Sequence, residues 1–252
     1  MVCKRIGRWA KDLLFPPERS CICCKSVLKA PRNSLQLCDD CLRALESLAV
    51  EQTERERQEP IMPAEGLQYV HCAFPYRDEA RSLVLRLKFG SLRAAAKPLS
   101  LMMAMLPAEE EDLLVPVPTT KTRRKKRGYN QSEVLAGRLA RSYGMKMDGR
   151  LLFRTDDGEA QATLGGAERR RNLEGCMRAL PAAEGHRILL IDDVYTTGAT
   201  AEEAARALRA AGAISVGMLC ACCAWYPEDG DRKETGRPQS FGKSNAILRE
   251  NA

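Results

Sequence analysis

The sequence has no long apolar run. No uninterrupted apolar stretch in its 252 residues approaches the roughly 18–20 residues that a membrane-spanning helix requires. The basic segment at residues 1–20 is broken by Lys11 and Asp12, so it lacks the continuous apolar core of a secretory signal peptide. We therefore expect a cytoplasmic protein without a membrane span.

Histidine and aromatic residues are also scarce. The chain has two histidines, His71 and His186, and neither lies in a motif with a nucleophile or a second ligand, so histidine-based catalysis is not indicated. Aromatic residues make up 5% of the chain, and only Tyr129 is close to the basic run KTRRKKRGYN. Because proteins that bind single-stranded DNA stack its bases on aromatic side chains, this scarcity argues against a strong general DNA binder.

Cysteine, in contrast, is abundant, with eleven residues. In a cytoplasmic protein, cysteines serve more often as metal ligands or small core residues than in disulfides. Four of them form two Cys-x2-Cys pairs separated by thirteen residues, a spacing that can place four thiolates around Zn²⁺. We expect a structural zinc site that contributes the folding energy of a segment too short to build its own core. The predicted ligands are Cys21, Cys24, Cys38 and Cys41, with Cys23 as an alternative to Cys21 or Cys24.

Four further cysteines lie in apolar segments. Cys72 is part of QYVHCAF, and Cys220, Cys222 and Cys223 are part of VGMLCACCAW. Buried thiols behave as small apolar side chains, so we interpret these four as core residues. A second metal site formed by Cys220, Cys222 and Cys223 is the alternative interpretation.

Positive charge is in excess and clustered. The net charge is +7. One cluster is KTRRKKR at residues 121–127, and a second is RRR at residues 169–171. Clusters of this kind suit polyanions such as phosphates, pyrophosphate or nucleic acid, and a solvated face is the alternative. Because glycine, asparagine and apolar segments flank both clusters, we expect them to form ordered loops beside a site.

Apolar runs of strand length alternate with amphipathic segments after residue 66. This alternation predicts an α/β fold, with a mostly parallel sheet flanked by helices on both faces. Pro98 marks a kink or a new start within the second helix. The predicted strands are residues 67–74, 113–117, 150–153, 187–191 and 214–221, and the predicted helices are residues 80–90, 92–106, 132–144 and 201–213.

Composition divides the chain into four parts. Residues 46–66 begin as a polar helix and become rich in proline and glycine, which is typical of a linker. Residues 226–252 are polar and lack periodicity, so we expect a disordered tail. The resulting organisation is a Cys module at residues 1–46, a linker at 47–66, an α/β domain at 67–225 and the tail at 226–252.

Three polar or charged loops are expected to meet at one edge of the sheet. They follow Val117, Phe153 and Ile191, which are the carboxyl ends of predicted strands. Ligands of parallel sheets bind outside the carboxyl ends of the strands. The coincidence of charge and position predicts an anionic ligand at this edge.

The segment RILLIDDVYTTGAT at residues 187–200 carries the clearest chemistry. Its apolar residues predict a buried strand that delivers Asp192 and Asp193 to the ligand-binding edge. The small residues of TTGAT let backbone N–H groups and hydroxyls approach a phosphate at the start of the next helix. Carboxylates instead accept hydrogen bonds from sugar hydroxyls or coordinate Mg²⁺. Phosphoribosyl pyrophosphate (PRPP), with a 5′-phosphate, a ribose diol and a Mg²⁺-bound diphosphate, satisfies both requirements.

This segment resembles the PRPP-binding signature of type I phosphoribosyltransferases, in which apolar residues, two acids and a Thr-Gly loop occur in this order. From about residue 10 to about residue 222 the chain resembles the ComF family of competence-associated proteins. The motifs that carry this resemblance are LLFPPERSCICC, LRLKFGS, VPVPTTKTRRKKRGYNQSEVLAGRLA, ERRRNLEG and the PRPP motif. The resemblance implies a type I phosphoribosyltransferase-like domain, an N-terminal zinc finger and a role in the uptake of transforming DNA.

The resemblance also implies roles for individual residues. Asp192 and Asp193 would be the catalytic residues, in contact with the ribose and with Mg²⁺. A loop at residues 161–172 would close over the site and bring Arg169 or Arg170 to the diphosphate. The 5′-phosphate would lie against Thr196, Thr197, Gly198, Ala199 and Thr200, and the pyrophosphate against Thr119 and Thr120. The second substrate or DNA would contact Lys88, Arg127, Tyr129, Asn130 and Gln131.

Two functions are compatible with these motifs and with the resemblance to the ComF family. The first is a Mg²⁺-dependent phosphoribosyltransferase whose acceptor the sequence does not reveal. The second is a non-catalytic adaptor that senses PRPP or a nucleotide and holds single-stranded DNA beside a competence helicase. A glutamine-dependent amidotransferase fits less well, because its ammonia-producing domain requires many more residues than the N-terminal module provides.

Overall fold

The computed structural model describes residues 20–28, 34–90, 92–108, 110–155 and 175–224. The predicted closing loop with Arg169 and Arg170 lies outside these ranges, and so does the predicted tail at residues 226–252. Within the described ranges, no helix is long and apolar enough to cross a membrane.

Five of the strands in the described residues form one sheet, in which every pairing is parallel. The strands are β1 (Val70–Pro75), β2 (Leu113–Pro116), β3 (Lys146–Met147), β4 (Leu152–Arg154), β5 (Met177–Ala179), β6 (Arg187–Tyr195) and β7 (Ser215–Cys223). The order in the sheet is β1-β7-β6-β2-β3, and β4 and β5 form a separate antiparallel pair. The predicted α/β class with a mostly parallel sheet is confirmed.

Six α-helices accompany the strands in the described part of the chain. They are α1 (Asp39–Gln58), α2 (Asp78–Phe89), α3 (Ala96–Met103), α4 (Lys121–Arg127), α5 (Gln131–Tyr143) and α6 (Ala199–Ala210). A short 3₁₀ helix at Arg93–Ala95 leads into α3, and Pro98 lies in the first turn of α3. Proline is tolerated there because the N–H groups of a first turn have no partner within the helix. Pro98 therefore belongs to a new start rather than to a kink.

The two faces of the sheet bury separate apolar clusters. Side chains alternate along a strand, so Leu189 and Ile191 of β6 pack on one face, and Ile188 and Leu190 pack on the other. Helices α1, α2, α3 and α5 contribute to the first cluster, and α6 with the β4–β5 pair contributes to the second. The sheet is thus covered by helices on both faces, as the sequence predicts.

The chain order places a crevice between the carboxyl ends of β2 and β6. From β2 the chain passes through α5 to β3 on one side, whereas from β6 it passes through α6 to β7 on the other. The connections of these two neighbouring strands therefore leave in opposite directions. In open α/β sheets such a switch point is where ligands bind.

Strand β6 is longer than the sequence predicts. The predicted strand ends at Ile191, but β6 continues to Tyr195 because its backbone stays paired with β7, where Asp192 lies opposite Cys220 and Tyr195 opposite Cys223. The two acids consequently lie within the strand instead of in the loop after it.

Helix α1 crosses the predicted boundary between the Cys module and the linker. It runs without a break to Gln58, and the chain becomes irregular only after that residue. Glu56 of α1 accepts a hydrogen bond from the Cys72 N–H of edge strand β1 (3.0 Å). Leu35 and Leu37 near the cysteines belong to the same apolar cluster as α2, α3 and α5. The Cys-containing segment therefore packs into the main core.

Two local predictions are wrong. The basic run at residues 121–127 forms helix α4 rather than a loop, because the Thr120 hydroxyl accepts the Arg123 N–H and caps its start. Ser132 is not the cap of α5, because Asn130 takes that position and its side-chain oxygen accepts the Ser132 N–H. This arrangement leaves the Ser132 hydroxyl free to bond elsewhere.

Candidate functional site

Asp192 and Asp193 lie side by side at the carboxyl end of β6, and both are buried. One oxygen of Asp192, Oδ1, accepts hydrogen bonds from the Ser132 hydroxyl (2.7 Å) and from the Asp193 N–H (2.8 Å). Ser132 lies at the start of α5, so the helix after β2 fixes an acid of β6. The only sequence signal for this contact is that NQS stands at the start of the amphipathic α5, which places a hydroxyl near the crevice but does not indicate its partner.

Asp193 is held by a lysine on one oxygen only. Lys88 Nζ, at the end of α2, lies 3.0 Å from Asp193 Oδ1. The other carboxylate oxygen, Oδ2, is buried and has no hydrogen-bond partner among the described residues. A buried, unpaired carboxylate oxygen is costly, and a hydroxyl or a cation from a ligand would satisfy it.

The burial of these acids changes their proton affinity. Burial, and after it the charge of Asp193, raise the pKa of Asp192, while the Ser132 hydrogen bond and the charge of Lys88 lower it; the net result is a pKa of about 7. For Lys88, burial lowers the pKa, but the charge and the hydrogen bond of Asp193 together with the charge of Asp192 outweigh burial, and the net pKa is raised. Lys88 is therefore cationic at neutral pH and offsets part of the negative charge of the pair.

The loop between β6 and α6 has the features of a phosphate cradle. Gly198 occupies the N-cap position of α6 with a φ of +82°, a conformation in which glycine is strongly favoured. A Cβ at this position would lie 2.8 Å from the Tyr195 hydroxyl. Thr196 and Thr200 are half-buried and Thr197 is exposed, so hydroxyl groups line the loop where the N–H groups of α6 begin.

A cavity of about 380 Å³ opens beside this cradle. Tyr195, Thr196, Thr197 and Glu202 line one side, and residues 62–65 line the other. The Tyr195 hydroxyl donates a hydrogen bond to the Met62 carbonyl oxygen (3.1 Å). The end of the predicted linker therefore forms a wall of this cavity.

The loop after β2 contributes the opposite side of the crevice. The Asn130 side-chain amide donates to the Val117 carbonyl (2.9 Å), which holds this loop against the start of α5. Thr120 is buried as the cap of α4, whereas Thr119 is partly exposed. Of the two threonines predicted to meet pyrophosphate, Thr119 is thus the more accessible.

The side chains of the RGYNQ motif mostly form hydrogen bonds with other groups of the protein. Tyr129 is buried and donates its hydroxyl to the Leu87 carbonyl (2.6 Å). Arg127 donates to the Gln131 side-chain oxygen (2.8 Å), and Asn130 bridges to the loop after β2. Burial lowers the pKa of Arg127, while the charge of Asp193 acts in the opposite direction.

An exposed aromatic residue that the sequence analysis did not single out lies beside this motif. Phe89, directly after Lys88, is 71% exposed, and the Arg127 guanidinium carbon lies 5.3 Å from the centre of its ring. Arg93 stacks in the same way on Tyr129, at 4.8 Å. The sequence places Phe89 far from the basic run, so only the fold brings them together.

Four cysteines form a cluster whose geometry suits a metal ion. The Sγ atoms of Cys21, Cys24, Cys38 and Cys41 all lie within 4.8 Å of one another. The Cys24 and Cys38 sulfurs are 3.7 Å apart, close to the ~3.8 Å that tetrahedral coordination at a Zn–S distance of about 2.3 Å requires. The N–H groups of Cys23 and Cys38 both approach the Cys21 sulfur at 3.4 Å, as donors to a thiolate would.

Cys23 is not part of this cluster. Its sulfur points to the Glu79 carbonyl of α2 at 3.8 Å, so it is not the alternative ligand that the sequence allowed. Cys72, Cys220, Cys222 and Cys223 are buried in the sheet and form no metal-binding group in the described part of the chain. The core interpretation of these four is consistent with their burial.

Comparisons with known proteins agree with this geometry. The family profile described as "Phosphoribosyl transferase domain" matches residues 113–247. The chain is 33% identical over 148 residues to "DNA utilization protein YhgH" of Escherichia coli O157:H7, covering 56% of this chain and 65% of that protein. It is 31% identical over 202 residues to "Competence protein ComFC" of Bacillus subtilis (strain 168), covering 78% and 80%. The chain thus spans slightly less than two thirds of the length of the first relative.

Among solved structures, a glutamine PRPP amidotransferase from B. subtilis is similar over 51% of this chain and 26% of its own, with 23% identity and a TM-score of 0.38. This likeness is too low to support any statement about function. The sheet and the family match define a phosphoribosyltransferase-domain protein. More narrowly, the chain belongs to the ComF family, because it matches ComFC over four fifths of that protein's length.

Proposed function

We propose that this protein binds PRPP together with Mg²⁺ in the crevice between β2 and β6, and that it acts in the cytoplasm in the uptake or processing of transforming DNA. The observation that carries the proposal is the pairing of a phosphate cradle with a buried, unsatisfied carboxylate oxygen. Gly198 begins the cradle, and Asp193 Oδ2 has no partner among the described residues. One ligand with a phosphate and hydroxyl groups would satisfy both.

The roles of the residues follow from charge. The 5′-phosphate would accept hydrogen bonds from the N–H groups and hydroxyls of residues 196–200, and the ribose diol would donate to Asp192 and Asp193. Lys88 would remain beside Asp193 and limit the repulsion between the two acids. Thr119 in the loop after β2, and Arg169 or Arg170, would meet the diphosphate.

In a transferase reaction, the bond from ribose C1 to the pyrophosphate oxygen breaks while a bond from C1 to the acceptor forms. Positive charge develops at the ribose and negative charge on the departing pyrophosphate. Groups that are aligned with these charges in advance stabilise the transition state more than the ground state. Mg²⁺, when bound, supplies charge neutralisation at the diphosphate, and the acids stabilise the cationic ribose.

The test is calorimetric titration of the protein with PRPP in excess Mg²⁺. We expect saturable binding by the wild type and a loss of about 100-fold or more in affinity for the Asp192→Asn, Asp193→Asn double variant, because each lost charged hydrogen bond costs about 1.5–3 kcal/mol. The control is the Glu54→Gln, Glu59→Gln double variant, which changes the charge equally on the exposed side of α1 and at its end.

Thermal unfolding of both variants accompanies the titration, since Asp193→Asn leaves Lys88 without its partner. A double variant that is folded and still binds PRPP as the wild type does would refute the assignment of the acids. Absence of binding by the wild type would refute the PRPP site itself.

One structural feature, a basic helix beside an exposed aromatic ring, supports single-stranded DNA as a second candidate ligand. Helix α4 exposes five basic side chains, and the exposed ring of Phe89 lies against Arg127 at its end. Cationic groups along a surface attract the phosphate backbone, and an exposed ring stacks on a base of any sequence. A binding role of this kind would suit an adaptor beside a helicase as well as an enzyme that acts on DNA.

The DNA proposal is tested by fluorescence anisotropy with a labelled oligonucleotide. We expect neutralisation of Arg123, Arg124, Lys125 and Lys126 to weaken DNA binding and to reduce its salt dependence, whereas PRPP affinity stays unchanged. Phe89→Ala should weaken DNA binding by roughly 5- to 100-fold, in line with the loss of one stacked base. Equal losses of DNA and PRPP binding would show that the two ligands do not use separate surfaces.

We further propose that the four-cysteine cluster binds Zn²⁺ as a structural ion. Four sulfur ligands close the coordination sphere, so no position remains for a substrate or a water. The ion would join the turn at residues 21–24 to the start of α1, which contains Cys41.

A further inference from the structure

We propose that metal binding at the cysteine cluster and PRPP binding in the crevice are energetically coupled, and that Arg86 of α2 is the positioning residue that links them. The inference rests on the proposed PRPP site. It concerns helix α2, because one face of this helix contacts the turn at residues 21–24, which we call the cysteine turn, and its end contacts Asp193.

The backbone of the cysteine turn accepts hydrogen bonds from side chains of α2. The carbonyl oxygen of Cys23, which lies between the ligands Cys21 and Cys24, accepts hydrogen bonds from Arg86 Nη2 (2.9 Å) and from the Ser82 hydroxyl (3.4 Å). The Cys23 sulfur contacts the Glu79 carbonyl of the same helix. Residues 79, 82 and 86 lie on one face of α2, so the turn spans about two turns of the helix.

The same end of α2 reaches the crevice. Lys88, two residues after Arg86, pairs with Asp193 at 3.0 Å. Between them, the Leu87 carbonyl accepts the Tyr129 hydroxyl at 2.6 Å. The last turn of α2 therefore makes one contact with the cysteine turn and one with Asp193. A shift of this helical turn would change both contacts.

Metal binding would maintain the contact between Arg86 and the Cys23 carbonyl oxygen. A four-thiolate site rarely exists before its metal is bound, so loss of the ion releases the turn that presents the Cys23 carbonyl. Arg86 would then lose its acceptor, and its Nε is already buried without a partner among the described residues. Arg86 is half-buried, and a guanidinium that has a buried Nε and loses its acceptor is unfavourable, so the last turn of α2 would move or fray to rehydrate it. That movement withdraws Lys88 from Asp193.

Coupling of this kind is reciprocal. If the metal raises the affinity for PRPP, PRPP must raise the affinity for the metal by the same factor. The effect can therefore be measured as a change in zinc affinity on addition of PRPP, starting from the intact, metal-loaded protein.

The experiment is an equilibrium competition for Zn²⁺ between the protein and the chromophoric chelator 4-(2-pyridylazo)resorcinol in excess Mg²⁺, with and without saturating PRPP. A blank without protein corrects for binding of zinc by PRPP. We expect PRPP to tighten zinc binding by about 5-fold or more, the lower end of typical coupling between two sites.

Three variants locate the coupling. Arg86→Met keeps the aliphatic stem and removes the donor, and should lower the effect of PRPP on zinc affinity to less than half of the wild-type factor. Arg86→Lys restores a cationic donor and should recover part of the effect. Arg81→Met, on the exposed side of α2, should behave as the wild type does.

The outcomes are distinguishable. If PRPP binds by calorimetry but leaves zinc affinity unchanged, the coupling is refuted while the proposed function stands. If the effect is as large in Arg86→Met as in the wild type, coupling exists through folding of the whole domain and the role of Arg86 is refuted. If the wild type does not bind PRPP at all, the proposed function fails and this inference fails with it.

Discussion

At the scale of single residues, the two acids of the site differ in how they are held. Asp192 accepts hydrogen bonds from Ser132 and from the backbone, whereas Asp193 is paired with Lys88 and has one oxygen without a partner in the described part of the chain. In type and position both acids were predictable from the sequence, because paired carboxylates after an apolar strand indicate a sugar or metal ligand. Their partners were not predictable, because Ser132 and Lys88 are brought to them by other elements.

Ser132 offers a test of this arrangement. Ser132→Ala removes the hydroxyl donor to Asp192 and should weaken PRPP binding by roughly 2- to 10-fold, which corresponds to one net hydrogen bond of about 0.5–1.5 kcal/mol. Calorimetric titration measures the change. Ser142→Ala, on the exposed side of the same helix, is the matched control and should bind PRPP normally. Wild-type affinity in Ser132→Ala would show that the contact does not orient Asp192 for the ligand.

At the scale of elements, the accuracy of the sequence predictions depends on which interactions form each element. Helices α2, α5 and α6 bury an apolar stripe, so their periodicity indicates them directly. Helix α4 has only polar residues and depends on the Thr120 cap, so the same reasoning predicts a loop. The extension of β6 through two aspartates depends on its pairing with β7, which the local sequence does not reveal.

The cysteine turn is the element with the sharpest prediction. Replacement of Cys21 and Cys24 by serine should abolish stoichiometric zinc and lower the melting temperature, because the proposed zinc ion would supply much of the stability of such a short segment. Metal content is measured by atomic absorption or mass spectrometry. Cys23→Ser should keep one zinc per chain, since this side chain points to α2. Full zinc content in the double variant would contradict the four-ligand assignment.

At the scale of the whole molecule, the predicted modules share one core. The sequence suggests a separate Cys module and a linker, because the composition changes at residues 46–66. In the structure, α1 extends through more than half of that segment and covers the edge of β1, and residues 62–65 line the cavity beside the loop between β6 and α6. Composition reports local polarity, and it does not report which surfaces a segment covers. The organisation of the site from three distant segments could only come from the fold.

The most direct test of the account is a crystal structure of the protein with PRPP and Mg²⁺. We expect the 5′-phosphate at residues 196–200, the ribose hydroxyls at Asp192 and Asp193, and the diphosphate towards the loop after β2. Electron density for PRPP at any other place, with the crevice between β2 and β6 vacant in the same crystal, would contradict it.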